Sequence, residues 1–216
     1  MVIRADKIDI SFIKADESVD NVLNQASFVI DTNLTLIRGV SGSGKSTILN
    51  LINTDILPSS GTLEIDGVKT TESIFDFDSH AKKVLYIKQD FFCDGIKAID
   101  NLALNYEKEM EYDERLKDVV DTFDESFSIS NNYETLSSGQ KILLLLFLAK
   151  KKKVELILLD EPTANLGDEE VDRAEEYLLN LAKHCQVIIA TNDDKLSLAG
   201  AKTFYIRDEE VYDYEI

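Results

Sequence analysis

The nine residues Gly39-Val40-Ser41-Gly42-Ser43-Gly44-Lys45-Ser46-Thr47 have the types and spacing that hold phosphate: a glycine, four residues, then Gly-Lys-Ser. Glycines let the main chain turn tightly and bring its N–H groups against phosphate oxygens with no Cβ in the way. A helix starting near Lys45 points its positive end at the same place. In such a loop Lys45 reaches the β and γ phosphates of a nucleotide, and the Ser46 hydroxyl ligates Mg²⁺. Further along, the apolar run Leu156-Ile157-Leu158-Leu159 ends in Asp160-Glu161-Pro162. A carboxylate delivered at the tip of a buried strand suits the second half of a Mg²⁺ site. Glu161 then stands where it polarises a water aimed at the γ-phosphate. Taken alone, an acidic pair after a strand reads as a turn or a helix N-cap. The phosphate loop earlier in the same chain turns the reading toward a nucleotide site.

The elements that must position these groups alternate. Asn33-Leu34-Thr35-Leu36-Ile37-Arg38 alternates polar and apolar residues and runs straight into the loop, and Ile48, Leu49, Leu51 and Ile52 follow it at helical spacing. Residues 3–13 and 26–37 read as two or three strands separated by a polar loop around Asp16-Glu17-Ser18, and 62–67 as a short strand between turns. Val84-Leu85-Tyr86-Ile87 is a strand that delivers Gln89 at its C-terminal end. Leu156 to Leu159 and Val187-Ile188-Ile189-Ala190 are continuous apolar runs, the pattern of strands covered on both faces. Between them 169–183 is an amphipathic helix, and 203–214 reads as a closing hairpin. From about 95 to 135 the chain becomes acidic with helical apolar spacing, a helical insertion with a solvated outer face. Strands alternating with helices imply an α/β fold around a mostly parallel sheet, with ligands at the strands' C-terminal ends.

Composition sets limits. The 216 residues are 44% hydrophobic and 30% charged, a globular composition long enough for a substantial core. With 41 Asp plus Glu against 23 Lys plus Arg, the formal charge is -18, which disfavours gripping a nucleic-acid backbone. A nucleotide needs only a local positive pocket. Cys93 and Cys185 give neither metal spacing nor a disulfide framework, consistent with a reducing cytosol. The N-terminus opens no signal-peptide segment, and the longest apolar run, Ile142 to Ala149, is far short of the ~20 residues of a membrane span. The expectation is a soluble chain whose membrane partner, if any, is a separate polypeptide.

Leu136-Ser137-Ser138-Gly139-Gln140 precedes the Asp160 strand, and here the chain resembles the ABC-type ATPases, whose signature is Leu-Ser-Gly-Gly-Gln. The resemblance covers nearly the whole chain and is strongest to the lipoprotein-release and macrolide-export group. It implies a single domain over 1–216: a P-loop NTPase core with an antiparallel β lobe and a helical subdomain at about 93–150. It implies that Phe12 stacks on adenine, that Gln89 is the Q-loop glutamine and a Mg²⁺ ligand beside Ser46 and Asp160, and that Glu161 is the catalytic carboxylate. It implies head-to-tail dimers, of this chain or with a related subunit, in which Ser137, Ser138, Gly139 and Gln140 act on ATP held by the partner's loop. Gln89 then couples the site to a transmembrane permease on the cytoplasmic face, and no nucleic acid is expected.

The sequence departs from that pattern in three places. The family's switch histidine is Asn192, in Thr191-Asn192-Asp193; the D-loop aspartate is Gly167, with Asp168 one residue late; and the signature's first glycine is Ser138. Asn hydrogen-bonds a phosphate oxygen but carries no positive charge and exchanges no proton. The expectation is intact ATP binding with hydrolysis that is slow or partner-dependent. A non-hydrolysing, nucleotide-gated interaction subunit and a soluble ABC ATPase unlinked to transport are the alternatives.

Overall fold

The computed structural model describes residues 1–88, 154–164 and 166–214. The segments expected to form the helical subdomain and the signature lie outside them, as does Gln89. Within the described residues the chain forms β1 (Ile3–Ile13), β2 (Val19–Ile30), β3 (Leu34–Arg38), α1 (Lys45–Ile52), β4 (Ser60–Ile65), β5 (Val68–Lys69), α2 (Phe77–Lys83) and β6 (Val84–Ile87). After the undescribed stretch come β7 (Leu156–Asp160), α3 (Asp168–Leu181), β8 (Gln186–Thr191), β9 (Lys202–Arg207) and β10 (Glu210–Tyr214).

Two sheets result. Four strands in the order β2-β1-β4-β5 pair antiparallel, and six in the order β10-β9-β3-β8-β7-β6 form a sheet in which only the β9–β10 pair is antiparallel. The continuous apolar runs take the central positions. All five residues of β7 and all six of β8 are buried, as strands covered on both faces require. Their side chains alternate between two cores. Leu156 and Leu158 of β7 join Ile48, Leu49, Leu51 and Ile52 of α1 under the antiparallel sheet. Ile157 and Leu159 pack on the opposite face with Val171, Leu178 and Leu181 of α3. The helix that carries the phosphate loop is therefore clamped between the two sheets.

The second strand begins at Val19, well before the expected 26. Residues 19–25 expose five of their seven side chains and bury only Leu23 fully, so no apolar alternation marks them. They are strand because they extend the antiparallel ladder, with Ile13 opposite Val19 and Phe12 opposite Asp20.

Candidate functional site

Three parallel strand tips stand side by side. Arg38 of β3 pairs with Thr191 of β8, and Ala190 of β8 pairs with Asp160 of β7. The next residues on each tip are Gly39, Asn192 and Glu161, so the register of the sheet alone gathers three segments remote in sequence. This is where ligands bind in open parallel sheets.

On β3 the chain enters the glycine-rich loop. Gly44 is the residue before α1, at φ 101°, a conformation that L side chains rarely adopt. A Cβ there would lie 2.9 Å from Val22 Cγ1. Ile48 N–H bonds the Gly44 carbonyl at 3.0 Å, so the helix starts at Lys45 as the spacing predicts. Lys45 is only 5% exposed. Its ammonium donates to the carbonyls of Gly39 at 2.8 Å and Val40 at 3.1 Å, and pairs with Glu161 Oε1 at 3.3 Å. Val40, Ser41, Gly42 and Ser46 are solvent-facing, while Ser43 and Thr47 are half-buried. An open cleft of about 1040 Å³ runs along residues 39–43, with residues 20–22 of β2 and 205–209 of the β9–β10 hairpin on its other sides. Phe12 is 44% exposed on β1. It does not line the cleft, but pairs with Asp20, which does.

On β7 the neighbouring carboxylates differ sharply. Asp160 is buried, and its Oδ1 has no hydrogen-bond partner among the described residues. Burial raises its pKa above the ordinary carboxylate value; a hydrogen bond from Ser46 opposes this, and the Glu161 charge adds to it. An orphaned buried carboxylate oxygen bonded through its group to the Ser46 hydroxyl fits a hard divalent cation. Glu161 is 8% exposed and fully engaged. Besides Lys45, it accepts the Thr191 hydroxyl at Oε2 (3.1 Å) and shares the Asn192 main-chain N–H between both oxygens at 3.0 Å. Its own N–H donates to the Ala190 carbonyl at 2.8 Å, and its φ of 50° lies in the left-handed region. That strained turn sends the carboxylate back over the β8 tip.

The structure thus brings together Lys45, Ser46, Asp160, Glu161 and Asn192. Asn192 is exposed, and its bond to Glu161 comes from the main chain, not from the side chain that replaces the family's histidine. Gly167 precedes α3, its N–H donating to Glu170 Oε2 at 3.1 Å, while the adjacent Asp168 pairs with Lys195. Neither His80 nor His184 substitutes for the switch: His80 is buried against the Ile52 carbonyl at 2.9 Å, and His184 precedes β8, at the end of the strand opposite Thr191. The sequence reading gives Thr191 and Asp193 only as neighbours of Asn192 and assigns no role to them or to Thr163. The signal available was the Thr-Asn-Asp triplet directly after a buried strand.

The model of the ABC transporter family matches residues 23–164. The ABC transporter ATP-binding protein YxdL of Bacillus subtilis is 30% identical over 200 residues, covering 88% of this chain and 78% of that protein. The macrolide export ATP-binding/permease protein MacB of Mannheimia succiniciproducens is 28% identical over 206 residues, covering 91% of this chain but 32% of that longer protein. In three dimensions the fold matches the dimeric ATP-binding cassette MJ0796 of Methanocaldococcus jannaschii, solved in a post-hydrolysis state with ADP and Pi. That match has a TM-score of 0.75 at 24% identity and covers 99% of this chain and 97% of the other.

Proposed function

The chain belongs to the ABC transporter family as an ATP-binding and ATP-hydrolysing subunit, and we propose that Lys45 and Glu161 are the two halves of its hydrolytic site. The observation that carries this is their ion pair at 3.3 Å, nearly solvent-free, at the mouth of a loop built for phosphate. Residues 39–47 cradle the phosphates with main-chain N–H groups, and Lys45 exchanges its carbonyl and carboxylate partners for β and γ oxygens. That exchange frees one side of the Glu161 carboxylate toward a water. Glu161 takes the proton as the water oxygen bonds to the γ-phosphorus. The bond to the β–γ bridging oxygen breaks, its electron pair leaves on ADP, and the proton passes on to the released phosphate. Mg²⁺ fits the Asp160 and Ser46 pair, with Gln89 as a third ligand, and when bound it neutralises developing phosphate charge.

Phe12 supplies the adenine platform, at the edge of the cleft beside Asp20. Two copies, or this chain and a related subunit, close head to tail, and Ser137, Ser138, Gly139 and Gln140 of one contact the γ-phosphate held by the other. Among the described residues no helix is long and apolar enough to cross a membrane. A separate permease receives the motion, and the chain works at the cytoplasmic face of the membrane. The 1–216 span acts as one domain with its helical subdomain inserted at about 93–150.

ATP turnover and gel filtration with Mg-ATP on wild type and Glu161→Gln test the reading. Removing a general base lowers turnover by at least about 100-fold. The variant is expected to accumulate as an ATP-dependent dimer. A Glu161→Gln protein that hydrolyses at the wild-type rate would overturn the assignment.

A further inference from the structure

We infer that Thr191 is a positioning residue for the hydrolytic carboxylate, held in turn by Thr163 and Asp193; this rests on Glu161 acting as the base. Thr191 ends β8 and is 0% exposed. Its single hydroxyl is committed in both directions. The oxygen accepts the Asp193 N–H at 3.0 Å, so its one hydrogen is free to go to Glu161 Oε2 at 3.1 Å. The Asp193 carboxylate is fixed from the β7 side, accepting the buried Thr163 hydroxyl at Oδ2 (2.9 Å). Asp193 Oδ1 also accepts the Lys195 N–H at 3.0 Å.

The outer end of the same loop is pinned to the strand that carries the phosphate loop. Arg38 donates to the Asp193 carbonyl at 3.0 Å and to the Leu196 carbonyl. The loop after β8 is therefore tied to β7 through Thr163 and to β3 through Arg38, with Thr191 at its root aimed at Glu161.

This arrangement performs a task that a side chain at 192 does not perform here. Glu161 sits on a left-handed turn with a flexible two-carbon stem, and Lys45 is a partner it must give up to phosphate. The donors that stay are the Thr191 hydroxyl on Oε2 and the Asn192 N–H, shared between both oxygens. Together they orient the carboxylate after the ion pair opens. A displacement of about 1 Å at a reacting group costs on the order of 100-fold in rate. The valine variant is isosteric and leaves Glu161 Oε2 and the Asp193 N–H each one partner short, whereas serine retains the hydroxyl.

The test compares wild type with Thr191→Val, Thr191→Ser, Thr163→Val and Glu161→Gln in single-turnover and steady-state ATPase assays of the full chain. Thr191→Val is expected to lower kcat by about 10- to 100-fold, with KM for ATP within about twofold, and Thr191→Ser to stay within about threefold of wild type. Thr163→Val should fall between them. An unchanged kcat in Thr191→Val, or a serine variant as slow as the valine one, would overturn the inference. If Thr191→Val does not fold, Thr163→Val decides, and wild-type kcat there overturns it. Undiminished turnover in Glu161→Gln refutes the base assignment itself, a result distinct from an inert Glu161→Gln beside a fully active Thr191→Val.

Discussion

The phosphate loop and the tips of β7 and β8 meet at one site but are built on opposite plans. The loop is nine contiguous residues that act through the main chain: Gly44 at φ 101° precedes the helix, and the Gly39 and Val40 carbonyls hold Lys45. The strand tips act through side chains about 30 positions apart, Thr163 on Asp193 and Thr191 on Glu161. Backbone recognition needs particular conformations, and few residues other than glycine supply them. Side-chain recognition needs only that the sheet bring two tips into register, and many residue pairs could serve. The first plan is intolerant of substitution by conformation, the second by chemistry.

Gly44→Ala tests the first plan at its most demanding point. The substitution forces an L residue to φ 101° and places a methyl 2.9 Å from Val22 Cγ1. Strain and overpacking together should cost about 2–4 kcal/mol. For a chain of this size that lowers Tm by roughly 5–15 °C. Gly42→Ala is the internal control: at φ 80° with no described residue within 4 Å of the new Cβ, it carries the strain alone. A drop about half as large or less is expected there, and equal melting losses in the two variants would show that crowding against β2 does not matter.

The same contrast explains what could be read from the sequence. The loop, its strand and its helix were legible because each is local: the Gly-Lys-Ser spacing, the alternation in 33–38 and the 48, 49, 51, 52 periodicity all lie within twenty residues. Strands β7 and β8 were legible as apolar runs because both faces are buried. The front half of β2 was not, since 19–25 bury only Leu23 fully, show no alternation and form strand through pairing with β1. Asp160 and Glu161 were visible as a motif, but nothing in the sequence separated their fates. Glu161 gains its partners from β8 and α1, while Asp160 Oδ1 gains none among the described residues, a difference only tertiary register decides. The Thr191 hydroxyl belongs to the same class, because threonine ends many β-strands without bonding a carboxylate.

Asp160→Asn sharpens the comparison within β7 by removing the buried charge and leaving its neighbour in place. The folded protein holds the Asp160 proton more tightly than the unfolded chain does, chiefly because the group is buried. A carboxylate with a raised folded pKa contributes stability below its unfolded value of 3.8, and that contribution is lost as pH rises through the folded pKa. Without divalent ions at neutral pH the variant should therefore melt higher by a few degrees, about 1 kcal/mol. Its stability should depend less on pH across the interval above 3.8. Mg²⁺ should stabilise the wild type and leave the variant nearly unmoved, since a cation bound only to the folded state raises Tm. Equal Mg²⁺ shifts in both proteins would remove Asp160 from the metal site.

The smallest effect is expected where the sequence departs most visibly from its family. Asn192 contributes its main-chain N–H to Glu161 at 3.0 Å, and its side chain is exposed with no described role in holding that carboxylate. Asn192→Ala keeps the N–H and should leave the melting temperature unchanged and turnover within about threefold, the ordinary range for an exposed substitution. Asn192→His adds a group that can carry charge and exchange a proton near the γ-phosphate. Turnover of the isolated chain should then rise by about 10-fold, less than the ~100-fold or more that one fully preorganised donor supplies. A large loss in Asn192→Ala would mean that the side chain reaches the phosphate, and that the strand tip works by the amide as well as by the Thr191 hydroxyl. No gain in Asn192→His would place the limit on hydrolysis elsewhere, at Gly167 or in a partner subunit that completes the site.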